Sequence, residues 1–221
     1  MYYYFGQFLL ILMFVSCNLS NNNGDTNSTN NLDSSFTTQT KITMNEFVPN
    51  KERNPLETAN INPLKNSNIN PLKNSNINPL KNSNINPLKN SSINPLKNGS
   101  INPLKNGSIN PLKNGSINPL KNGSINPLKN GSINPLKNSN FDGFYIFNLD
   151  GSTEQIAIKE SDDILIYFDT SFNFIQYAIQ NSAVGYNVFD LEGTWIGYLQ
   201  PDNNNGYLYF NVENTWIGYL K

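Results

Sequence analysis

The chain has 221 residues, a formal net charge of −1, no histidine and one cysteine. Without histidine there are no imidazole general bases, Ser–His–Asp triads or His-containing zinc sites, and one cysteine rules out an internal disulfide or a thiolate cluster. The near-neutral total conceals a division: residues 61–138 hold ten lysines and no acid, whereas residues 139–221 hold eleven acids and two lysines.

The chain opens MYYYFGQFLLILMFVSC, and Phe8 to Val15 is an unbroken apolar run. That is the length of a signal-peptide core and short of the ~20 residues that span a bilayer. The run stops at Ser16-Cys17, and the sequence turns polar from Asn18. The segment resembles a bacterial lipoprotein signal peptide, in which a small residue precedes a cysteine that receives a diacylglyceryl group and becomes the mature N-terminus. It departs from that pattern in having Phe14 where leucine is usual and no lysine or arginine ahead of the apolar run. The alternatives are an uncleaved signal anchor and a cleaved signal of a soluble secreted protein. The resemblance implies that residues 1–16 are a signal peptide and Cys17 the lipid attachment site. The protein would then be held at the cell membrane or outer membrane and exposed at the surface.

Residues 17–60 follow as a tether. NLSNNNGDTNSTNNLDSS has almost no apolar surface with which to offset a backbone ordering cost of ~1–2 kcal/mol per residue. Arg53-Asn54-Pro55-Leu56-Glu57 is a degenerate first copy of the repeat that follows. INPLK then begins at 61 and recurs every eight residues through 133, ten times, the copies ending first in Asn-Ser-Asn and later in Asn-Gly-Ser. Such near-identity suggests recent duplication and a copy number free to vary. Within a copy, Asn-Pro-Leu-Lys predicts a tight turn, and proline every eighth residue prevents a long helix or a central strand. The reading adopted for residues 61–138 is an extended spacer or stalk. A solenoid stacking Ile on Ile and Leu on Leu is the alternative, disfavoured because lysines would align in register. The N-terminal two-thirds is thus expected to be mainly disordered, with 141–221 folding alone. Lysines once per octad without aromatic partners are a poor nucleic-acid signature, so no nucleic-acid partner is expected.

Residues 141–221 are aromatic, β-branched and acidic. FDLEGTWIGYL and FNVENTWIGYL are near-duplicates, and FNLDGSTEQIAI and FDTSFNFIQYAI are older copies. Their leading residues, Phe147, Phe168, Phe189 and Phe210, recur every 21 residues, each followed by Asn or Asp. Each unit reads as a hairpin, giving an all-β domain of four hairpin repeats. Gly151, Gly193 and Asn214 share one turn position suited to positive φ. Phe172 breaks that rule, with Asn173 expected to take the role, and the first return strand reads as shifted by one residue. The four phenylalanines are expected at the core, with Ile175, Ile196 and Ile217 beside them. The pattern resembles the β-flower family of small bacterial domains, which implies eight short strands in pseudo-four-fold array and supplies no functional residue. A second resemblance is to the choline- and glucan-binding aromatic repeats of bacterial wall proteins.

The carboxylate pairs Asp162-Asp163 and Asp190/Glu192 read as solvated turn residues. The loops 148–151 and 190–193 lack the ligand count of a calcium site. No catalytic residue, metal site or cofactor is expected. Trp195, Tyr198, Trp216 and Tyr219 are the one binding constellation, suited to sugar stacking or a quaternary ammonium; the competing reading packs them into the sheet. The expected function is a non-enzymatic, lipid-anchored envelope protein displaying a small β-repeat head on a stalk for interaction with a surface protein or glycan. The alternative is a wall-, glycan- or choline-binding module.

Overall fold

The computed structural model describes residues 47–181 and 185–221, and these octads and strands belong to one compact unit. The expected signal peptide, the expected lipid site Cys17 and the expected tether as far as residue 46 lie outside the described residues. The C-terminal part forms four hairpins: β1 (Gly143–Asn148) with β2 (Thr153–Lys159), β3 (Ile164–Asp169) with β4 (Phe174–Gln180), β5 (Tyr186–Asp190) with β6 (Trp195–Pro201), and β7 (Tyr207–Asn211) with β8 (Trp216–Leu220). All neighbours are antiparallel, and β8 returns to pair with β1, closing an eight-stranded barrel. Closure removes the free sheet edges that isolated hairpins would leave.

The 21-residue period sets the register. Every hairpin carries a register shift just before its leading phenylalanine, at Ile146/Phe147, Tyr167/Phe168, Val188/Phe189 and Tyr209/Phe210. The first return strand is not shifted. Ile156 pairs with Phe168 as Tyr177 pairs with Phe189 and Tyr198 with Phe210, so Ile156 is the counterpart of the tyrosines. The expected turn substitution also fails: Phe172 itself takes φ 59°, alongside Gly151, Gly193 and Asn214 in the same conformation. A buried contact compensates for this left-handed phenylalanine, because its ring packs on Phe47 at 5.6 Å.

Alternating side chains give the barrel two apolar layers. The inner one contains Ile146, Ala157, Leu165, Tyr167, Ala178, Val188, Leu199 and Leu220. Rings from strands that are not neighbours meet there, Phe144 with Tyr207 and Tyr186 with Tyr207, as only lumen residues can. The leading phenylalanines lie in the outer layer, each 1–2% exposed. Three of them stack on a tyrosine of the neighbouring hairpin: Tyr177–Phe189, Tyr198–Phe210 and, across the closure, Tyr219–Phe147. Of the isoleucines expected beside them, Ile175 and Ile196 are half-buried and pack against the inner layer, while Ile217 is exposed. Phe189→Ala is expected to cost about 3–5 kcal/mol, the transfer term plus a cavity, read as a lowered urea midpoint.

The octads cover this outer layer, so the expected disordered stalk is corrected for residues 47–138. Each octad makes two tight turns, one over Asn-Pro-Leu-Lys and one that is often a single 3-10 turn such as Ser75–Ile77 or Gly99–Ile101. Asparagine amides join successive coils. In each INPLK the Asn side chain caps its own turn by accepting from the Leu N–H at 2.9 Å. In most copies its Nδ2 also donates to the proline carbonyl of the preceding coil, as in Asn78 to Pro71 and Asn86 to Pro79 (2.8 and 2.9 Å). The second asparagine reaches back six residues in the same way, Asn74 to Asn68 at 2.6 Å and Asn106 to Ser100 at 2.9 Å. Prolines and the first asparagine of each INPLK are buried, while the leucines and lysines face outward. The aligned lysines therefore stay hydrated, and Ile77, Ile109, Ile117 and Ile133 pack against the barrel's outer layer.

The array begins and ends at one place. Asn50 Nδ2 donates to Asn140 Oδ1 at 3.0 Å. Between these ends the contacts move round the barrel. Leu56 abuts Gly151 in the first hairpin turn. Asn204 in the β6–β7 link donates to the Asn60 carbonyl, Gln200 of β6 to that of Ile85, and Asn187 of β5 to that of Ile93. Leu104 abuts Gly193 in the β5–β6 turn. The outward side chains of β3 and β4 are buried as well, and Ile109, Ile117 and Ile133 join their cluster. The octads thus encircle the barrel as a closed belt.

Candidate functional site

The four aromatic residues expected to bind a ligand are brought together in pairs, but inside the outer layer. Trp195 and Trp216 are 9% and 8% exposed, and Tyr198 and Tyr219 are fully buried. Each indole N–H closes on its own strand, Trp195 Nε1 to the Gly197 carbonyl (2.7 Å) and Trp216 Nε1 to that of Gly218 (2.8 Å). The Tyr198 hydroxyl donates to Asn214 Oδ1 at 2.5 Å. The hydroxyls of Tyr177 and Tyr219 have no partner among the described residues; where Tyr198 meets the asparagine side chain, Tyr177 lies beside Gly193, which offers none. Burial pushes the tyrosine pKa values up, Tyr198 among them. No face of this set is open for stacking on a sugar.

The strand-end carboxylates are used in turns. Asp169 and Asp190, like the amide of Asn211 at the equivalent position, each accept the backbone N–H four residues on, at 2.7–2.8 Å. Asp162 pairs with Lys159 at 2.6 Å on the surface, and that hydrogen bond holds its carboxyl below the usual range. Among the described residues no group of three or more metal-ligating side chains converges.

Two features carry no motif in the sequence. The first is the seam where the belt closes. Arg53 lies over the rings of Phe141 (4.6 Å) and Tyr145 (5.0 Å), a cation–π arrangement. Its guanidinium donates to the carbonyls of Ser139, Phe141 and Gly143. Beside it Lys221 and Asp202 form a buried ion pair, and burial lowers the pKa of Lys221. The second is the outer edge of the belt. Eleven leucines, from Leu56 to Leu136, are 41–69% exposed. All but the first precede an exposed lysine, and no acid interrupts residues 61–138.

The fold and these features define a closed barrel of four hairpins bound by a repeat-built belt. No protein-family model, curated protein or solved structure matches the chain. No helix among the described residues is long and apolar enough to cross a membrane.

Proposed function

We propose that this is a lipid-anchored cell-envelope protein, attached through Cys17 and tethered by the segment before residue 47, that presents its belted barrel for non-enzymatic interaction at the cell surface. On this reading the four hairpins are the pseudo-four-fold array of a β-flower-like head. The belt is the outer wall of that head in place of a stalk. The observation that carries the reading is the belt's edge, a recurring Leu–Lys pair turned to solvent in coil after coil. An apolar residue exposed at the same place in every coil is a surface on which a partner can dock, and the unbroken positive charge suits an anionic envelope surface. The buried Trp195/Trp216 set gives less support to the choline- or glucan-binding alternative at those residues.

The anchor is tested separately from the contact face. Cys17→Ala is expected to release the protein from the membrane fraction or to leave its signal unprocessed, read by fractionation and by the mass of the mature N-terminus. Unchanged processing and unchanged membrane retention would refute the anchor.

A further inference from the structure

The mouth of the barrel lumen on the hairpin-turn side holds a cleft of about 300 Å³ to which β1, β2, β4, β7 and β8 all contribute. Ile146 and Ile217 line its apolar flank, and Asn148, Gln155, Gln176 and Tyr209 its polar one. Among the described residues, no charged side chain lines it. The amides of Gln155 and Gln176 are half-buried and make no side-chain hydrogen bond to another described residue. Tyr167, the cross-strand partner of Gln176, is fully buried, and its hydroxyl has no partner among the described residues. The hydrogen-bonding capacity of the two glutamine amides is therefore free for solvent or for a ligand.

The geometry points to a binding site for a single neutral sugar ring at this mouth. Each glutamine amide offers a donor and an acceptor together, the pairing that adjacent hydroxyls of a pyranose require. Tyr209 supplies an aromatic body with a polar tip, and burial pushes its pKa up to about 12, so it remains a neutral hydroxyl near pH 7. Ile146 and Ile217 suit the C–H face of a sugar. The volume lies at the small end of ligand pockets, which admits one ring of a glycan and not a run of them. A carboxylated or phosphorylated ligand would meet no positive side chain. The site is independent of the lipid anchor and of the belt's lysines.

The test is saturation-transfer NMR on the full-length protein with methyl α-glucoside, methyl α-mannoside, N-acetylglucosamine and glucuronate as probes. Transfer to at least one neutral probe and none to glucuronate is expected. Gln155→Leu/Gln176→Leu should lower that signal at least tenfold with an unchanged β-type circular dichroism spectrum. Should the double variant misfold, Gln155→Ala alone serves, with a partial loss expected. No transfer to any neutral probe, transfer to glucuronate alone, or undiminished transfer in a folded variant would overturn the site.

Discussion

Deleting one octad, residues 85–92, is expected to destabilise the whole protein by about 3–6 kcal/mol, against a typical domain stability of about 5–15 kcal/mol. The following copy slides into the vacated place, so no local structure is lost; the belt simply becomes one coil too short. Either the seam opens, parting Asn50 from Asn140 and Arg53 from its carbonyls, or a hairpin loses its cover. Exposing large apolar side chains costs about 1.5–3 kcal/mol each, and the outer layer presents Tyr177, Phe189 and Phe210, all buried. Inserting an extra octad should also destabilise, because the surplus coil must bulge. The check is urea unfolding followed by tryptophan fluorescence, since Trp195 and Trp216 lie beneath the belt. A midpoint unchanged by both edits would mean that the repeats act as a spacer.

Alkaline unfolding is the second large effect. Tyr145, Tyr167, Tyr177, Tyr198 and Tyr219 are fully buried, and burial raises the pKa of each. In the unfolded chain these phenols release protons near pH 10. A folded pKa above the unfolded one contributes stability that is fully present below pH 10 and is lost as pH rises through the folded value. Each buried tyrosine then costs up to about 1.4 kcal/mol per pH unit, and five together about 7. Cooperative collapse is expected between about pH 10 and 12, with tyrosinate absorbance rising in one step as the β-type circular dichroism disappears. Smooth titration near pH 10 with the fold intact would contradict the burial.

The hairpins were legible because their signals are local. A 21-residue interval, a glycine or asparagine at a fixed turn position and strands rich in Ile, Tyr and Phe specify β1 to β8 without reference to partners. Closure was not, since nothing in WIGYL says that Tyr219 stacks on Phe147, 72 positions away in the chain. The belt was misjudged from its two apolar residues per octad and its aligned lysines. Its stabilising element is the pair of asparagines, each capping its own turn through Oδ1 and reaching the preceding coil through Nδ2, and two asparagines fixed in every copy were the available signal. Polar residues at mostly apolar repeat positions were another. Asn187 stands where the other hairpins have Tyr145, Ile166 and Leu208, and Gln200 where they have Ile158, Ile179 and Lys221. Both turn out to donate to belt carbonyls. The lumen mouth was invisible because Gln155, Gln176 and Tyr209 converge only after the barrel closes.

The closure between β1 and β8 also orders events in time. Arg53 donates to the carbonyl of Gly143 and lies within 3.5 Å of that of Lys221, 168 positions further on. Contacts of such sequence separation are slow to form, because a long chain loses its freedom before the interaction rewards it. The octads are synthesised first, yet the surface that organises their isoleucines consists of strands made last. A nascent chain lacking β8 has an open sheet and no complete cylinder for the repeats to surround. The repeats are expected to stay hydrated, lysine-bearing coil, a form resistant to premature collapse, until β8 has been made and can pair with β1.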